Sequence, residues 1–514
     1  MQLNVCAFSF IILFQKEEKQ KMKNKKSLIS TLVFSAPLLT AFSAETTATA
    51  PKNRKNIVVI LVDDLGRNDL GCYGSTFYET PNIDKLAKES MLFTNGYAAH
   101  PVCSPTRAAI MTGKNPCRKE VNITDWIRGN RPKEEKLIGP EMNFDLPLSE
   151  ETIAEALKSA GYATWFIGKW HLGETEKFWP KAQGFDVNIG GYSKGSPRGG
   201  YYSPYKNPKL KDGPKGEYLT DRLTNEAINL LEKRDKSRPF FLFLSFYTVH
   251  APIQACKRYL KKFQEKAAKL PEIEKNFISE KGAKTRIRQD NPKYASMIYA
   301  MDENVGRLLD VLKKEGLNSN TVLFFTGDNG SLTTLRRHPG PSCLSPMRAG
   351  KGWAYEGGIR VPFIVRDPDL QAQNTVCNVP VVNTDFYATI LDYCGLPQKP
   401  EQHKDSIDLK PLIEGKTTSV MRKTPLVWHY PHYHGSGWTP GSAIREGKWK
   451  LVESYQDGSV ELYDLQNDLG EHKDLAKKYP EKTSMLLKKM HDYLDKVGAS
   501  MPKKNPNYKN KTKK

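Results

Sequence analysis

Six apolar residues in a row, Ile57 to Val62, follow Asn56 and run straight into two adjacent aspartates, Asp63 and Asp64. An unbroken β-branched run without polar alternation is the pattern of a strand covered on both faces. Such strands belong to mostly parallel sheets with helices packed on each side. This one segment therefore points to an α/β fold. The rest of the chain follows the same rhythm. Helices are expected over 83–90, 152–160, 220–234 and 294–315, and strands over 163–168, 240–247, 321–326 and 361–365. Polar residues of chemical interest recur just past the strand ends: Lys169 and His171 after one, His250 after another, Asp328 and Asn329 after a third. Open α/β sheets gather their ligand sites at such ends.

Around residue 415 the character changes. Short strands are expected at 425–430, 442–444, 449–452 and 461–465, then an amphipathic helix at 480–497. The expected architecture is a large domain with a mostly parallel central sheet flanked by helices, plus a smaller C-terminal α+β subdomain with a short antiparallel sheet and one helix. The expected division is a leader over 1–43, a catalytic domain over 54–415, the subdomain over 416–500 and a disordered basic tail over 501–514. The Lys- and Glu-rich stretch 257–290 is expected to be a solvated helical insertion.

The N-terminus reads as an export signal. Met22 opens a basic segment, an apolar stretch runs from Leu28 to Phe42, and Ala41-Phe42-Ser43 offers small residues for cleavage. Translation is expected to begin at Met22, and the product to be periplasmic or secreted. No later segment is long and apolar enough to span a bilayer, so the mature protein is expected to have no membrane span. The formal charge is +21, of which the leader carries +4 and the tail from Lys503 carries +6, leaving a basic body of +11. A basic body attracts polyanions. No nucleic-acid-binding module is present, and no nucleic-acid partner is expected. Seven cysteines follow the leader, an odd number, so at least one thiol is expected to be unpaired.

The chemistry starts with the acids. Two aspartates at the end of a buried strand cannot both ionise without a cation. Asp63, Asp64, Asp328 and Asn329 together offer three carboxylates and an amide carbonyl, hard oxygen ligands that suit Ca²⁺, with Mg²⁺ the second choice. The cations come next. Arg107, Lys169, His171, His250 and Lys351 each lie in a loop or near a strand end. A metal with several cations around it binds a compact tetrahedral anion and stabilises charge that builds on its oxygens.

The segment Cys103-Ser104-Pro105-Thr106-Arg107, with Thr112-Gly113 downstream, resembles the signature of the type I sulfatase family of the alkaline-phosphatase superfamily. The stretches Val62-Asp63-Asp64-Leu65-Gly66, Gly168-Lys169-Trp170-His171-Leu172-Gly173, Thr326-Gly327-Asp328-Asn329-Gly330 and Gly350-Lys351-Gly352-Trp353 resemble it in the same order. The resemblance implies that Cys103 is oxidised to formylglycine (3-oxoalanine) by a maturation enzyme before folding. It implies that the hydrated aldehyde attacks sulfur and that its second hydroxyl then expels the sulfate. It makes Asp63, Asp64, Asp328 and Asn329 ligands of Ca²⁺, with the modified Cys103 joining them. Arg107 holds the hydrate, and His171 serves as base in the elimination. Lys169, His250 and Lys351 contact the sulfate, and either His250 or Lys351 protonates the leaving alcohol. The implied activity is hydrolysis of sulfate esters, exo-acting on a sulfated carbohydrate, with a galactose-type sugar favoured. His432 and His434, in a ring-rich segment of the C-terminal subdomain, are candidate substrate residues, as are His100 and His338. Two other readings remain open: a phosphate or phosphonate ester hydrolase of the same superfamily, and an inactive polyanion-binding homologue.

Overall fold

The structure is a computed structural model that describes residues 54–126, 134–370, 374–419, 422 and 424–508. The leader and the expected start at Met22 lie outside the described residues. The first strand, β1 (Asn56–Val62), is buried at every position. Successive side chains on a strand point to opposite faces. Val58, Ile60 and Val62 accordingly enter one apolar cluster, and Ile57, Val59 and Leu61 enter another on the opposite side.

An eight-stranded sheet grows outward from β1. Its other members are β2 (Met91–Phe93), β3 (Ala163–Gly168), β4 (Val187–Ile189), β5 (Phe240–Phe246), β6 (Thr321–Gly327), β7 (Phe363–Arg366) and β8 (Thr375–Cys377). The spatial order is β8-β2-β7-β6-β1-β5-β3-β4. The five strands from β6 to β4 run parallel, and β7 reverses direction against β6. The sheet is thus mixed, mostly parallel, with its reversal on the β7 side.

Helices cover both faces. Leu219–Glu232 and Pro292–Lys314 pack on one side with Pro81–Lys88, contributing Leu223, Met297, Met301 and Ile83 to that core. Cys103–Thr112, Ile153–Ser159 and Phe386–Tyr393 pack on the other, contributing Ile110, Leu157 and Ile390. We label these six helices α1 to α6 in chain order: α1 (Pro81–Lys88), α2 (Cys103–Thr112), α3 (Ile153–Ser159), α4 (Leu219–Glu232), α5 (Pro292–Lys314) and α6 (Phe386–Tyr393).

The smaller C-terminal part is a four-stranded antiparallel meander, β9 (Leu426–Tyr430), β10 (Gly441–Glu446), β11 (Trp449–Ser454) and β12 (Val460–Asp464), followed by α7 (Pro480–Lys496). Alternation again divides its faces. Val427, Ile444, Leu451 and Leu462 meet Leu486, Met490 and Leu494 of α7. Trp428, Tyr430, Ala443 and Val452 meet Tyr97, Trp353 and Tyr355 of the large domain. Lys450 joins the two parts as well: fully buried, it lies 3.0 Å from Glu356 and 2.7 Å from Glu471.

Two expectations are corrected. The stretch 257–290 is not wholly helical. Helix covers only Lys257–Ala267, and a hairpin of Phe277–Glu280 and Ala283–Arg286 follows, pairing onward with Thr334–Leu335. The Lys-rich composition hid a strand, Ala283–Arg286, whose alternate residues Ala283 and Thr285 are buried. The tail is described to residue 508, and Lys503–Lys504 pairs with Leu137–Ile138 through backbone bonds that ask nothing of side chains. All seven described cysteines are unpaired. No helix among the described residues is long and apolar enough to cross a membrane.

Candidate active site

Four neighbouring strands, β3, β5, β1 and β6, end on the same side of the sheet because they are parallel. Each delivers polar groups there. β1 ends at Asp63 and Asp64, β6 at Asp328 and Asn329, β3 at Lys169 and His171, and β5 leads to His250. The strand ends are held close. A Cβ on Gly168 would stand 1.8 Å from the Ser245 carbonyl, so only glycine lets β3 approach β5 there. Asp64 and His171 take φ values of +58° and +59°, a region non-glycine residues seldom enter. Backbone strain of this kind gathers at functional sites.

Cys103 reaches the same place from α2, whose first residue it is. It is 1% exposed. One turn along, Arg107 turns back toward the strand ends. Its Nε donates to Asp328 Oδ2 at 2.9 Å, and one terminal nitrogen donates to the Lys169 carbonyl at 2.6 Å and to Ser245 Oγ at 2.7 Å. The guanidinium is thereby locked in place by fixed partners, a use for which its rigid fork is suited. Ser245 was not singled out from the sequence. The signal was there: it is the one polar residue in the strand Phe240–Phe246.

Two amines complete the centre. Lys169 Nζ lies 2.7 Å from Asp63 Oδ2, with both side chains fully buried. Lys351 Nζ lies 2.6 Å from Asp64 Oδ1 and 3.7 Å from Cys103 Sγ. His250 Nε2 lies 3.8 Å from Asp64 Oδ2, while its Nδ1 is 2.7 Å from the Ala251 carbonyl. The electrostatics are uneven. Burial pushes Asp63 well above the usual carboxylate range, and Lys169 offsets this only in part. Burial acts most strongly on Asp64 and Asp328 too, but Lys351 with His250 and Lys169 for the first, and Arg107 with Lys169 and Lys351 for the second, together outweigh it and hold them low. Burial and the charge of Lys351 lower His250 to about 3, and burial with Lys169 depresses His171 well below its ordinary value. Burial raises the Cys103 thiol despite the nearby lysines.

The donor set fits a hard divalent cation. Asp63 Oδ1 and Asn329 Oδ1 are buried oxygens with no hydrogen-bond partner among the described residues. Unpaired buried acceptors are costly, and a cation among them removes that cost. Ligand atoms of Asp63, Asp64, Cys103 and His250 lie within 4.8 Å of one another. Asp328 is more occupied than expected, since Oδ1 accepts from the Asp64 amide at 3.0 Å and Oδ2 faces Arg107.

A cavity of about 360 Å³ opens above the centre, with Cys103, His171 and His250 in its lining. That size is typical of small-ligand pockets. Its outer wall comes from Trp126 and from the segment carrying Lys194 and Arg198. Sequence reading did not find these three. The glycines at 190, 191, 195, 199 and 200 around two cations were the available signal.

The four candidate substrate histidines take other places, and none lines this cavity. His338 is exposed, with Nδ1 3.0 Å from its neighbour's Pro339 carbonyl, because its loop turns outward. His100, His432 and His434 surround Tyr430 instead, with ring centroids 4.8, 6.2 and 6.1 Å away. His100 Nε2 meets the His429 carbonyl at 3.1 Å, and His432 Nε2 meets Thr124 Oγ1 at 3.1 Å. His434 packs so closely on Gly352 that a Cβ there would stand 2.0 Å from Nδ1, placing this ring behind the Lys351 loop.

Comparison with known proteins agrees with this geometry. The sulfatase family profile matches residues 55–396, and a profile described as N-sulphoglucosamine sulphohydrolase, C-terminal, matches 349–500. The chain is 31% identical to human N-acetylgalactosamine-6-sulfatase over 380 residues, covering 70% of this chain and 66% of that protein, just under two thirds of its length. It is 29% identical to a sulfatase of Formosa agariphila over an alignment covering 92% of this chain and 94% of the relative. The crystal structure of Ps i-CgsB in complex with k-i-k-neocarrahexaose superposes with a TM-score of 0.67 at 28% identity, covering 89% of this chain and 95% of that one. The strand-end acids, the cysteine at the start of α2 and these matches converge, and the chain belongs to the sulfatase family within the alkaline-phosphatase-like superfamily.

Proposed function

We propose that this protein is an exo-acting sulfatase that hydrolyses a sulfate ester on a carbohydrate, with Cys103 converted to formylglycine and Ca²⁺ held at the strand ends. The observation that carries this reading is the convergence of Cys103, Lys351 and the strand-end acids on the floor of one cavity. The relative named for N-acetylgalactosamine 6-sulfate supports a galactose-type sugar. Export to the periplasm or medium, and a maturation enzyme acting on Cys103, are part of the same reading.

Asp63, Asp64, Asp328 and Asn329 would hold the ion, whose Lewis acidity would offset charge on the sulfate oxygens. Formylglycine, once made, would supply the attacking hydroxyl that a thiol does not. The chain's own side chains do the rest. Arg107, fixed by Asp328 and Ser245, holds a permanent charge beside residue 103. Lys169 and Lys351 place two more charges at the cavity floor. His171, depressed by burial, is neutral at pH 7 and has an unpartnered Nδ1, as a base requires. For the leaving alcohol, Lys351 is the better proton source in this arrangement. Asp64 keeps it charged, whereas His250 is neutral near pH 7.

The test is hydrolysis of 4-nitrophenyl sulfate and 4-nitrophenyl phosphate by protein matured in a host with formylglycine-generating activity. Sulfate turnover well above phosphate turnover is expected. The reverse order would replace this reading with a phosphate ester hydrolase, and no turnover of either, with Cys103 unmodified by mass spectrometry, would leave a polyanion-binding homologue.

A further inference from the structure

The floor and the wall of the cavity carry different kinds of cation. Lys169 and Lys351 at the floor are buried and already paired with Asp63 and Asp64. Lys194 and Arg198 in the wall are respectively half-buried and exposed, and no ion pair joins either to an acid among the described residues. Some other surface cations do find partners, as Lys209 does with Glu176 at 2.5 Å and Arg258 with Asp221 at 2.5 Å.

The wall is also fastened, so these charges are held near the opening. The Tyr192 carbonyl accepts from the His171 amide at 3.2 Å. Gly195 lies flat on the His171 ring, where a Cβ would stand 2.2 Å from Cε1. A turn then forms from Pro197 to Gly200, closed by the Gly200 amide donating to the Pro197 carbonyl at 3.0 Å, with Arg198 at its corner. Gly199 N donates to the Tyr205 carbonyl at 2.9 Å, and Tyr201 N donates to Gln254 Oε1 at 2.7 Å. Ser193 and Ser196 also line the cavity and add hydroxyls to the same wall, and Glu174 lines it as well. The Trp126 ring, in the same lining, lies 5.9 Å from the His171 ring. Its buried indole N–H has no partner among the described residues. An amphipathic ring of this kind is a platform for a sugar.

We propose that the wall from Ser193 to Arg198 is an anion subsite, in which Lys194 and Arg198 bind a second negative group, a sulfate or a carboxylate, on the saccharide whose sulfate ester is cleaved at residue 103. This rests on the sulfatase reading and deepens it. The substrate class is a saccharide with at least two anionic groups, one for the floor and one for the wall. The two groups belong to the same sugar or to adjacent sugars, because the cations and Cys103 line one cavity.

The experiment reads binding without turnover, so it stands apart from the success of the sulfatase reading. Cys103→Ala protein, loaded with Ca²⁺, is titrated calorimetrically with methyl β-galactoside 6-sulfate, with the 4,6-disulfate, and with a 6-sulfogalactoside linked to glucuronate. The disulfate arm and the glucuronate arm distinguish a sulfate from a carboxylate as the second group. At least one dianionic saccharide is expected to bind about tenfold or more tightly than the monosulfate, a preference that shrinks as salt screens partly exposed charge. Adding Lys194→Ala and Arg198→Ala should bring the ratio of affinities to about 1, and Arg198→Lys should restore part of it. Equal binding of all three saccharides, no binding of the dianionic ones, or a ratio unchanged by the double substitution would each overturn the proposal.

Discussion

The floor and the wall of the cavity are built on opposite principles. At the floor, Asp63, Asp64, Asp328 and Lys169 sit at strand ends, Arg107 in helix α2 and Lys351 in a tight turn, all buried and bonded within one network. Moving any one of them disturbs the rest, as interacting groups in one network generally do. In the wall, Trp126, Lys194 and Arg198 come from connecting segments, the Trp126 indole N–H has no partner among the described residues, and no acid among them pairs with either cation. The contrast teaches a division of labour. Groups that must be positioned finely are attached to the sheet or locked against its strand ends, and groups that choose among ligands are attached to loops that can change without unsettling it.

If the floor is the reactive half, its effects should be the largest. Replacing Cys103 by Ala in otherwise matured protein should cut 4-nitrophenyl sulfate turnover by about 10⁴-fold or more, as loss of a nucleophile does. Because the thiol's partner is one amine at 3.7 Å, the melting temperature should change little. Retained activity would move the chemistry elsewhere and end the contrast. Metal removal comes next. Dialysis against a chelator should lower activity by about 10²-fold, with recovery on adding Ca²⁺ better than on adding Mg²⁺. Unaltered activity would mean that the orphaned oxygens of Asp63 and Asn329 serve something other than an ion.

The wall should respond differently. Trp126→Ala is expected to raise KM for a saccharide sulfate by about tenfold while leaving kcat nearly unchanged, the signature of binding shared by ground and transition states. A fall in kcat without a change in KM would place Trp126 with the floor.

The smallest effect concerns the support beneath the Lys351 segment. Burial raises Glu471 from 4.5 to about 7, with Lys450 only partly opposing it. Its neighbour Glu356 is subject to the same burial, yet Lys450 and two arginines outweigh it and hold the value at about 2. A carboxyl raised in the folded state costs stability as pH climbs from about 4.5 toward 7, because the unfolded chain ionises first. The melting temperature should therefore fall over that window, by about 2 °C from this group alone. Glu471→Gln should flatten that part of the slope. An unchanged slope would show that Glu471 is already ionised in the fold.

Much of the floor was legible in the sequence because it obeys two local rules. A fully apolar strand such as Asn56–Val62 announces its own end, and the residue after that end faces the ligand side of a parallel sheet. Asp63, Lys169 and Asp328 could be placed in this way. The reversal of Phe363–Arg366 could not, since four buried residues look alike in either direction. The places of His432 and His434 could not be read for a related reason. A ring-rich strand reads the same whether its rings face a ligand or pack on one another, and here Trp428, Tyr430 and Trp438 pack inward. The hairpin at 277–286 was masked by its lysines, which stand on the outer face. The wall was least legible, because the position of Arg198 depends on bonds to His171, Tyr205 and Gln254, far along the chain.

The position of Cys103 has a consequence for timing. Helix α2 is buried at every residue, and the segment bearing Lys351 leads through Glu356 to Lys450 and Glu471. A nascent chain cannot finish that enclosure until residue 471 has left the ribosome. Until the last strands of the meander dock, the thiol stands in an unfinished enclosure, and afterwards it is reached only through the cavity that Cys103 lines. Any processing of Cys103 is thus a race against the chain's own completion, and slowing translation after residue 103 should raise the share of molecules that are processed.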